Sequence, residues 1–479
     1  MSGSDPGPAV SIDTCERHLN RHRGRTEPVS EADRTPLTFG QLSVLRITAR
    51  WPTDRWPETY LSVVVPVPAE CPLDRVYAGL RSLCERHESL RTHFAETPRG
   101  PIQFVRPVED RVRIATIEDP GADESAAMAI GRGQAAELID RERDFGRRFT
   151  VVTDGGRPRF VVLVCDHIAA DGFSLRRLSG ELTVLMGGDD PEGRRWLTET
   201  PVQPRELALF QRSDANRSSR TAALAHWTRL LDTLDPGVFP VPDHGDQDPG
   251  RIEAVLRSPG ARSALATAAE RLGVPAHGVL LALSSVALAV VSGTARVVLT
   301  LQSSNRFRLP WQDLVSSMNQ YAPLPLDIGA APDGFGRYAA SVQAAALRSY
   351  RFGAYDIDEV TALVRAERGI ELGFDNFYNF MAQDIMAAPP YPAASGHASA
   401  RVEATLPNRQ VGPRFDMRVR GGREMPVVIR TDPRVLPEDR LHSLLSWYDQ
   451  ELRRLAVDAE VSTQALYATC ESAVARTAS

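Results

Sequence analysis

The chain has 479 residues, 42% of them hydrophobic and 24% charged; that is the balance of a soluble globular protein, and the length predicts two large lobes rather than one core. A net charge of −5 excludes nucleic acid and anionic membrane as partners held by bulk charge. There is no lysine, all 56 basic residues being arginine, which excludes a P-loop lysine, a Schiff base to pyridoxal phosphate and a kinase-type lysine, since each needs a primary amine.

Residues 1–34 mix Gly, Pro and Ser with charges of both signs and no sustained period, which predicts a disordered tail. From 37, "LTFGQLSVLRITAR" has helical spacing, "YLSVVVPVP" alternates as a strand and "LDRVYAGLRSLCERHESL" returns to a helical period. Strands are predicted at "PIQFVRPV" and at "RPRFVVLVCDHI", and a helix at "FSLRRLSGELTVLM". The stretch 186–250, rich in Gly, Pro and Asp around short helical pieces, reads as the connection between lobes. Beyond it come a strand at "RIEAVLRS", helices over 261–292, a strand at "RVVLTLQSS", a helix near 335–350, strands near 373–380 and 413–431, and a last helix over 437–455. Long helices alternating with short strands predict an α/β or α+β fold in both halves.

Five cysteines at 15, 71, 84, 165 and 470 are widely spaced with no CxxC pair, which argues against zinc or dithiol chemistry and for a reducing, cytoplasmic setting. No signal sequence opens the chain, and the longest apolar run, "VLLALSSVALAVV" at 279–291, is too short to cross a bilayer and reads as a buried helix.

The densest cluster of chemistry is "CDHIAADGFS" at 165–174, behind the apolar run FVVLV. The strand at 160–167 has period two, so Cys165 and His167 share one face and Asp166 points to the other. His167 is then a candidate base at a strand end or a structural histidine. Asp171 can return beneath it to fix the turn or the ring, and Gly172 lets the backbone pass a substrate closely. Cys165 is a candidate thiol or a buried packing residue. Ser174 is a candidate channel residue or a helix start. No third ligand nearby suggests a metal.

HxxxDG after an apolar strand resembles the HHxxxDG motif of the condensation domains of nonribosomal peptide synthetases, within the chloramphenicol acetyltransferase-like superfamily. "PLTFGQLSVL" at 36–45 is similar to that family's opening helix motif, "ERHESLRTHF" at 85–94 to its RHExLRTxF motif, and "DFGRRFTVV" at 144–152 to the segment leading into the catalytic strand. Asn305 and Arg306 after "VVLTLQSS", "YAPLPLD" at 321–327 and the closing "VVIRTDPRVLPEDRLHSLLSWYDQELRRLA" follow in the family's order, so the resemblance runs from about 36 to 456. The chain departs from the pattern at Asp166, which stands for the first motif histidine, and in "SSMNQYAP", where the glycine and asparagine before "LPL" are not recognisable.

The resemblance implies two chloramphenicol acetyltransferase-like lobes in a V, at 35–205 and 206–460, with a tail at 461–479 and the active site at their interface. It implies His167 as the residue that accepts the acceptor's proton or holds the nucleophile, and the Gly172 amide as donor to the oxyanion. It makes Asp171 structural, through an ion pair with Arg91, and leaves Cys165, Ser174 and Asn305 as channel candidates. Asp166 is expected behind the strand, held by an arginine or by backbone amides. Arg86 and His87 read as surface or packing residues. No metal or bound cofactor is implied; the phosphopantetheine arm is supplied by the carrier-protein partner, a donor carrier with an acceptor that is either carrier-bound or a small molecule. The chain ends soon after the closing helix, which predicts a free-standing condensation enzyme making an amide or ester in specialised metabolite biosynthesis. The alternatives are a catalytically silent domain that recruits tailoring enzymes to a carrier protein, and an acyltransferase or cyclase acting on a tethered intermediate.

Overall fold

The computed structural model describes residues 34–109, 111–233, 249–382, 384–385 and 400–475. The expected tail at 1–34 lies outside them apart from Arg34, as does Cys15. In chain order the first half contains β1 (Arg34–Pro36), α1 (Phe39–Thr48), β2 (Leu61–Pro66), α2 (Leu73–Arg86), β3 (Thr92–Ala95), β4 (Ile102–Val105), β5 (Ala115–Glu118), α3 (Glu124–Ala135), β6 (Arg147–Asp154), β7 (Arg157–Cys165) and α4 (Gly172–Leu185). Helices α5 (Pro191–Thr198), α6 (Pro204–Arg212) and α7 (Arg217–Thr233) follow. The second half contains β8 (Ile252–Arg257), α8 (Pro259–Leu272), α9 (Ala276–Ser292), β9 (Arg296–Ser303), β10 (Gln320–Asp327), α10 (Phe335–Arg351), α11 (Ile357–Arg368), β11 (Phe377–Met381), β12 (Arg401–Thr405), β13 (Phe415–Arg420), β14 (Val427–Thr431), α12 (Glu438–Val457) and α13 (Thr463–Ala475).

Three sheets organise these elements: β1-β4-β3, a four-stranded sheet β2-β7-β6-β5, and a seven-stranded sheet β10-β9-β11-β13-β14-β8-β12. In the four-stranded sheet β7 is buried on both faces. Val161, Leu163 and Cys165 pack with the apolar sides of α2 and α4, while Val162 and Val164 face Ala127 of α3 and Ile139. A strand covered on both sides reads as a continuous apolar run rather than an alternating one, which is why FVVLV stands out. The seven-stranded sheet carries α8, α9, α10, α12 and α13 on one face in the largest core among the described residues. Helix α9, the apolar run at 279–291, is buried along most of its length. Among the described residues no single helix is long and apolar enough to cross a membrane.

The segment 461–479, expected as a tail, includes α13, whose Leu466, Cys470 and Val474 enter that core; their i, i+4 spacing gives the helix one apolar stripe. A further core joins the halves: Leu42 and Leu45 of α1 and Ile168 meet Trp227 of α7 and Val298, Tyr355, Val360, Phe374 and Phe377 of the second half. Helix α1 is pinned by a capping box between Thr38 and Gln41. It lies so close to the second half that a Cβ on Gly40 would sit 2.4 Å from the Ser317 carbonyl oxygen. Only glycine permits that approach.

Candidate active site

Strand β7 ends at Cys165, one pair before the histidine. Asp166 then starts a turn: its amide donates to the Gly146 carbonyl (3.0 Å) and its carbonyl accepts from Ala169 (2.9 Å), while its Oδ1 accepts from the Ile168 amide (3.1 Å). An aspartate that bonds the backbone two residues on is a turn-former. His167 therefore sits on the turn and not on the strand, and the inference that it shares a face with Cys165 fails for that reason. Cys165 is fully buried in the core beneath α2 and α4, where burial pushes its thiol up to about 12. It lines no channel and stays protonated.

Arg141 holds Asp166 from behind, donating Nε to Oδ2 (2.7 Å) and Nη2 to Oδ1 (3.0 Å). A third donor, Nη1, reaches Thr48 Oγ1 of α1 (2.9 Å), and the guanidinium lies 4.4 Å from the centre of the Trp56 ring. Both side chains of the ion pair are buried. Below the turn, a Cβ on Gly146 would come within 2.7 Å of the Ala169 methyl, so the glycine of "DFG" makes room for it.

Asp171 caps α4, its Oδ1 accepting from the Ser174 amide and hydroxyl (2.9 Å each). Its ion-pair partner is Arg306 and not Arg91: one Arg306 nitrogen lies 2.7 and 2.8 Å from the two carboxylate oxygens. Arg91 instead donates to the Cys84 and Arg106 carbonyls (3.0 and 2.7 Å), bracing the end of α2 against the chain beyond β4. Arg306 also donates to the Gln312 and Leu314 carbonyls (3.0 and 2.7 Å), and the Met318 amide donates to Asp171 Oδ2 (3.2 Å). One carboxylate thus clasps the loop between β9 and β10 onto the start of α4. Ser174, a channel candidate, belongs to this clasp: it is 1% exposed, and its Oγ accepts from the Ser316 amide (3.0 Å). Gly172 supplies the first amide of α4, which has no partner inside the helix, and a Cβ there would meet open space.

His167 is partly exposed and its Nδ1 lies 3.4 Å from Ser317 Oγ. The ring also bonds its own main chain. Desolvation lowers its pKa most, and the nearby Arg409 charge works in the same direction against Asp171 and Asp166, so the neutral imidazole is the favoured form at neutral pH. The ring borders a cavity of about 60 Å³ with Ser43, Thr48, Gln302, Asn319, Tyr321 and Arg409. A neighbouring cavity of about 440 Å³ shares Ile47, Trp51, Tyr321 and Arg409 with it. A third, of about 480 Å³, is bordered by Thr38, Gly40, Asn305 and Met318. The linings follow one another along α1 and along 318–321. Asn305, in the left-handed region at φ 54°, has its amide bonded to the Met318 and Gly353 carbonyls (2.9 and 3.0 Å) and shapes the wall of that third cavity.

His87 is buried against Glu181, 2.8 Å from its carboxylate, which Arg86 and Arg177 also contact; these are packing residues. Among the described residues no group of three His, Cys, Asp or Glu side chains is placed to hold a metal. Sequence reasoning missed Arg141, Ser317 and Arg409 at the site. It quoted Arg306 but gave Asp171 to the wrong arginine.

The Asp166 pair gives a test of its role. Asp166→Asn keeps the shape and the acceptor for Ile168 but leaves the Arg141 charge uncompensated. It is expected to cost about 1.5–3 kcal/mol, the range for a hydrogen bond to a charged group, with most of the activity retained. Asp166→Leu, which also removes the turn's acceptor, is expected to cost more. Thermal melts read alongside rates check both; a fully stable Asp166→Asn protein without activity would make the carboxylate a participant in the chemistry.

The family model described as condensation domain matches residues 58–403. The nonribosomal peptide synthetase dtxS1 of Metarhizium robertsii is 28% identical over 171 residues, 35% of this chain, and the match spans 2% of that synthetase's length. The condensation domain from the monacolin K polyketide synthase MokA superposes with a TM-score of 0.69 at 16% identity, covering 90% of this chain and 99% of that one. The complex of the X-domain and OxyB from teicoplanin biosynthesis gives a TM-score of 0.67 at 17% identity, covering 92% and 98%. The sheets, the HxxxDG turn and the family match agree: the chain belongs to the condensation-domain family, whose reaction is amide- or ester-forming acyl transfer.

Proposed function

We propose that this chain joins a carrier-tethered acyl or aminoacyl thioester to an amine or alcohol acceptor in specialised metabolite biosynthesis, with His167 handling the acceptor's proton. The observation that carries the reading is a neutral-favouring, partly exposed imidazole at the border of a cavity between the halves. The acceptor lone pair attacks the thioester carbonyl carbon, forming the new C–N or C–O bond and placing charge on the carbonyl oxygen. Collapse then breaks the C–S bond and expels the phosphopantetheine thiolate. His167 takes the proton from the acceptor and returns it to that sulfur, so nothing else is consumed. The Ser317 hydroxyl donates to Asn319 Oδ1 (3.4 Å), which leaves its oxygen to accept from Nδ1–H and Nε2 as the base. The first amide of α4 is assigned to the developing oxyanion. The thiol arm belongs to the carrier-protein partner, and the proposed chemistry uses no bound metal or organic cofactor.

The test is intact-mass analysis of acyl-loaded carrier proteins incubated with the chain and a nucleophilic acceptor. Loss of the acyl group to the acceptor supports the reading, and an unchanged carrier across a broad acceptor panel opposes it. The lowered pKa of His167 adds a pH signature. The base must be neutral, so the rate is expected to hold as pH falls to about 6.5, the ordinary histidine value, and to decline only below it. An acid limb centred above that value would assign the titration to another group.

A further inference from the structure

Arg409 borders both the His167 cavity and the larger cavity beside it, and its terminal guanidinium nitrogens have no partner among the described residues. Its position is fixed all the same. Nε donates to the Glu58 carbonyl (3.2 Å), and the next two amides, of Gln410 and Val411, donate to Glu58 Oε2 (2.7 and 3.2 Å). Three arginines with buried side chains differ: Arg141 meets Asp166, Arg306 meets Asp171, and Arg430 meets Asp416. Each has a carboxylate, and among the described residues Arg409 has none within ion-pair distance.

A guanidinium carries five donors in a planar fork, and one at a cavity wall with its terminal nitrogens unpaired favours an anion in the cavity. The chamber on its far side is walled by Ile47, Trp51, Tyr321, Phe374 and Phe377. Burial pushes the Tyr321 phenol up to about 12, so that wall offers no competing negative charge. Glu371 stands at the same chamber but is paired with Arg365 (3.0 Å).

We propose that Arg409 and this aromatic chamber form a subsite for a substrate with an apolar or aromatic body and a carboxylate, held so that its reacting group reaches His167. The proposal rests on the acyl-transfer reading for the identity of the reacting group, and on the cavity alone for the anion. The carboxylate comes either from the acceptor, as in a free amino acid, or from the acyl donor's side chain.

Titration of the full chain with 3-phenylpropanoate and 3-phenylpropanamide, followed by calorimetry, separates charge from shape. The acid is expected to bind about 10-fold to 100-fold more tightly than the amide, the range for a charge-assisted hydrogen bond. Arg409→Gln should erase the difference while leaving the amide's affinity unchanged, and Arg409→Lys should restore part of it. Equal binding of the two probes by the wild type, or a preference that survives Arg409→Gln, overturns the proposal. Two turnover series locate the source. Phenylalanine against phenylalaninamide varies the acceptor, and phenylsuccinyl against 3-phenylpropanoyl pantetheine varies the donor. The KM ratio that collapses in Arg409→Gln identifies the partner bearing the anion; collapse of neither overturns the assignment to a substrate. A wild type that prefers the acid probe yet turns over no substrate would leave the anion site standing and remove the acyl-transfer reading.

Discussion

Replacing His167 by Ala is expected to lower turnover about 100-fold to 10,000-fold, the contribution of a positioned acid or base, with folding and carrier binding unchanged. The residue is partly exposed, and among the described residues its one hydrogen-bond contact with another residue is a long one, 3.4 Å to Ser317, so little stability depends on it. The measurement is single-turnover acyl transfer at saturating loaded carrier, with a thermal melt of the same preparation. Near wild-type transfer by a folded His167→Ala protein would remove the proton-handling role, whereas a wild type that transfers no acyl group would favour the recruiting alternative. The teicoplanin X-domain, solved with OxyB, is a structural relative in complex with another protein.

The second large effect is on stability. Asp171→Ala strips the buried Arg306 side chain of the carboxylate it pairs with and uncaps α4, and breaking a buried pair from one side costs about 3–5 kcal/mol. The double variant with Arg306→Leu is expected to lose less than the two single losses added together, because the stranded charge goes with its partner. Asp171→Ala with Arg91→Ala should instead be additive, since Arg91 bonds the Cys84 and Arg106 carbonyls and not Asp171. Coupling to Arg91 and additivity with Arg306 in denaturant melts would contradict the observed clasp.

The contrast between those two arginines shows what a sequence makes readable. Strand β7 was legible because burial on both faces leaves a run of apolar residues with no alternation to misread. The choice between Arg91 and Arg306 was not, because both lie in recognisable motifs and only the path of the loop after β9 brings Arg306 to the start of α4. The end of β7 was misjudged although a signal existed: Asp166 ahead of a small-residue stretch is a residue that turns the chain on its own side chain. Helices α11 and α13 carry readable stripes, Ile357, Val360 and Val364 in one, Leu466, Cys470 and Val474 in the other. The cavity walls are a different matter. Trp51, Tyr321, Phe374 and Arg409 come from four separate segments, and no local pattern announces that they meet.

The clasp at Asp171 also sets how the two halves can move. The same carboxylate terminates a helix of one half and holds a loop of the other, so they cannot part at that point without leaving helix amides and a guanidinium unsatisfied. The packed core around Trp227 stiffens the same region. Any relative rotation therefore swings about a fulcrum next to the reaction centre, with displacements that grow with distance from it. The spacing between His167 and Ser317, next to that fulcrum, is therefore expected to change least in any such rotation.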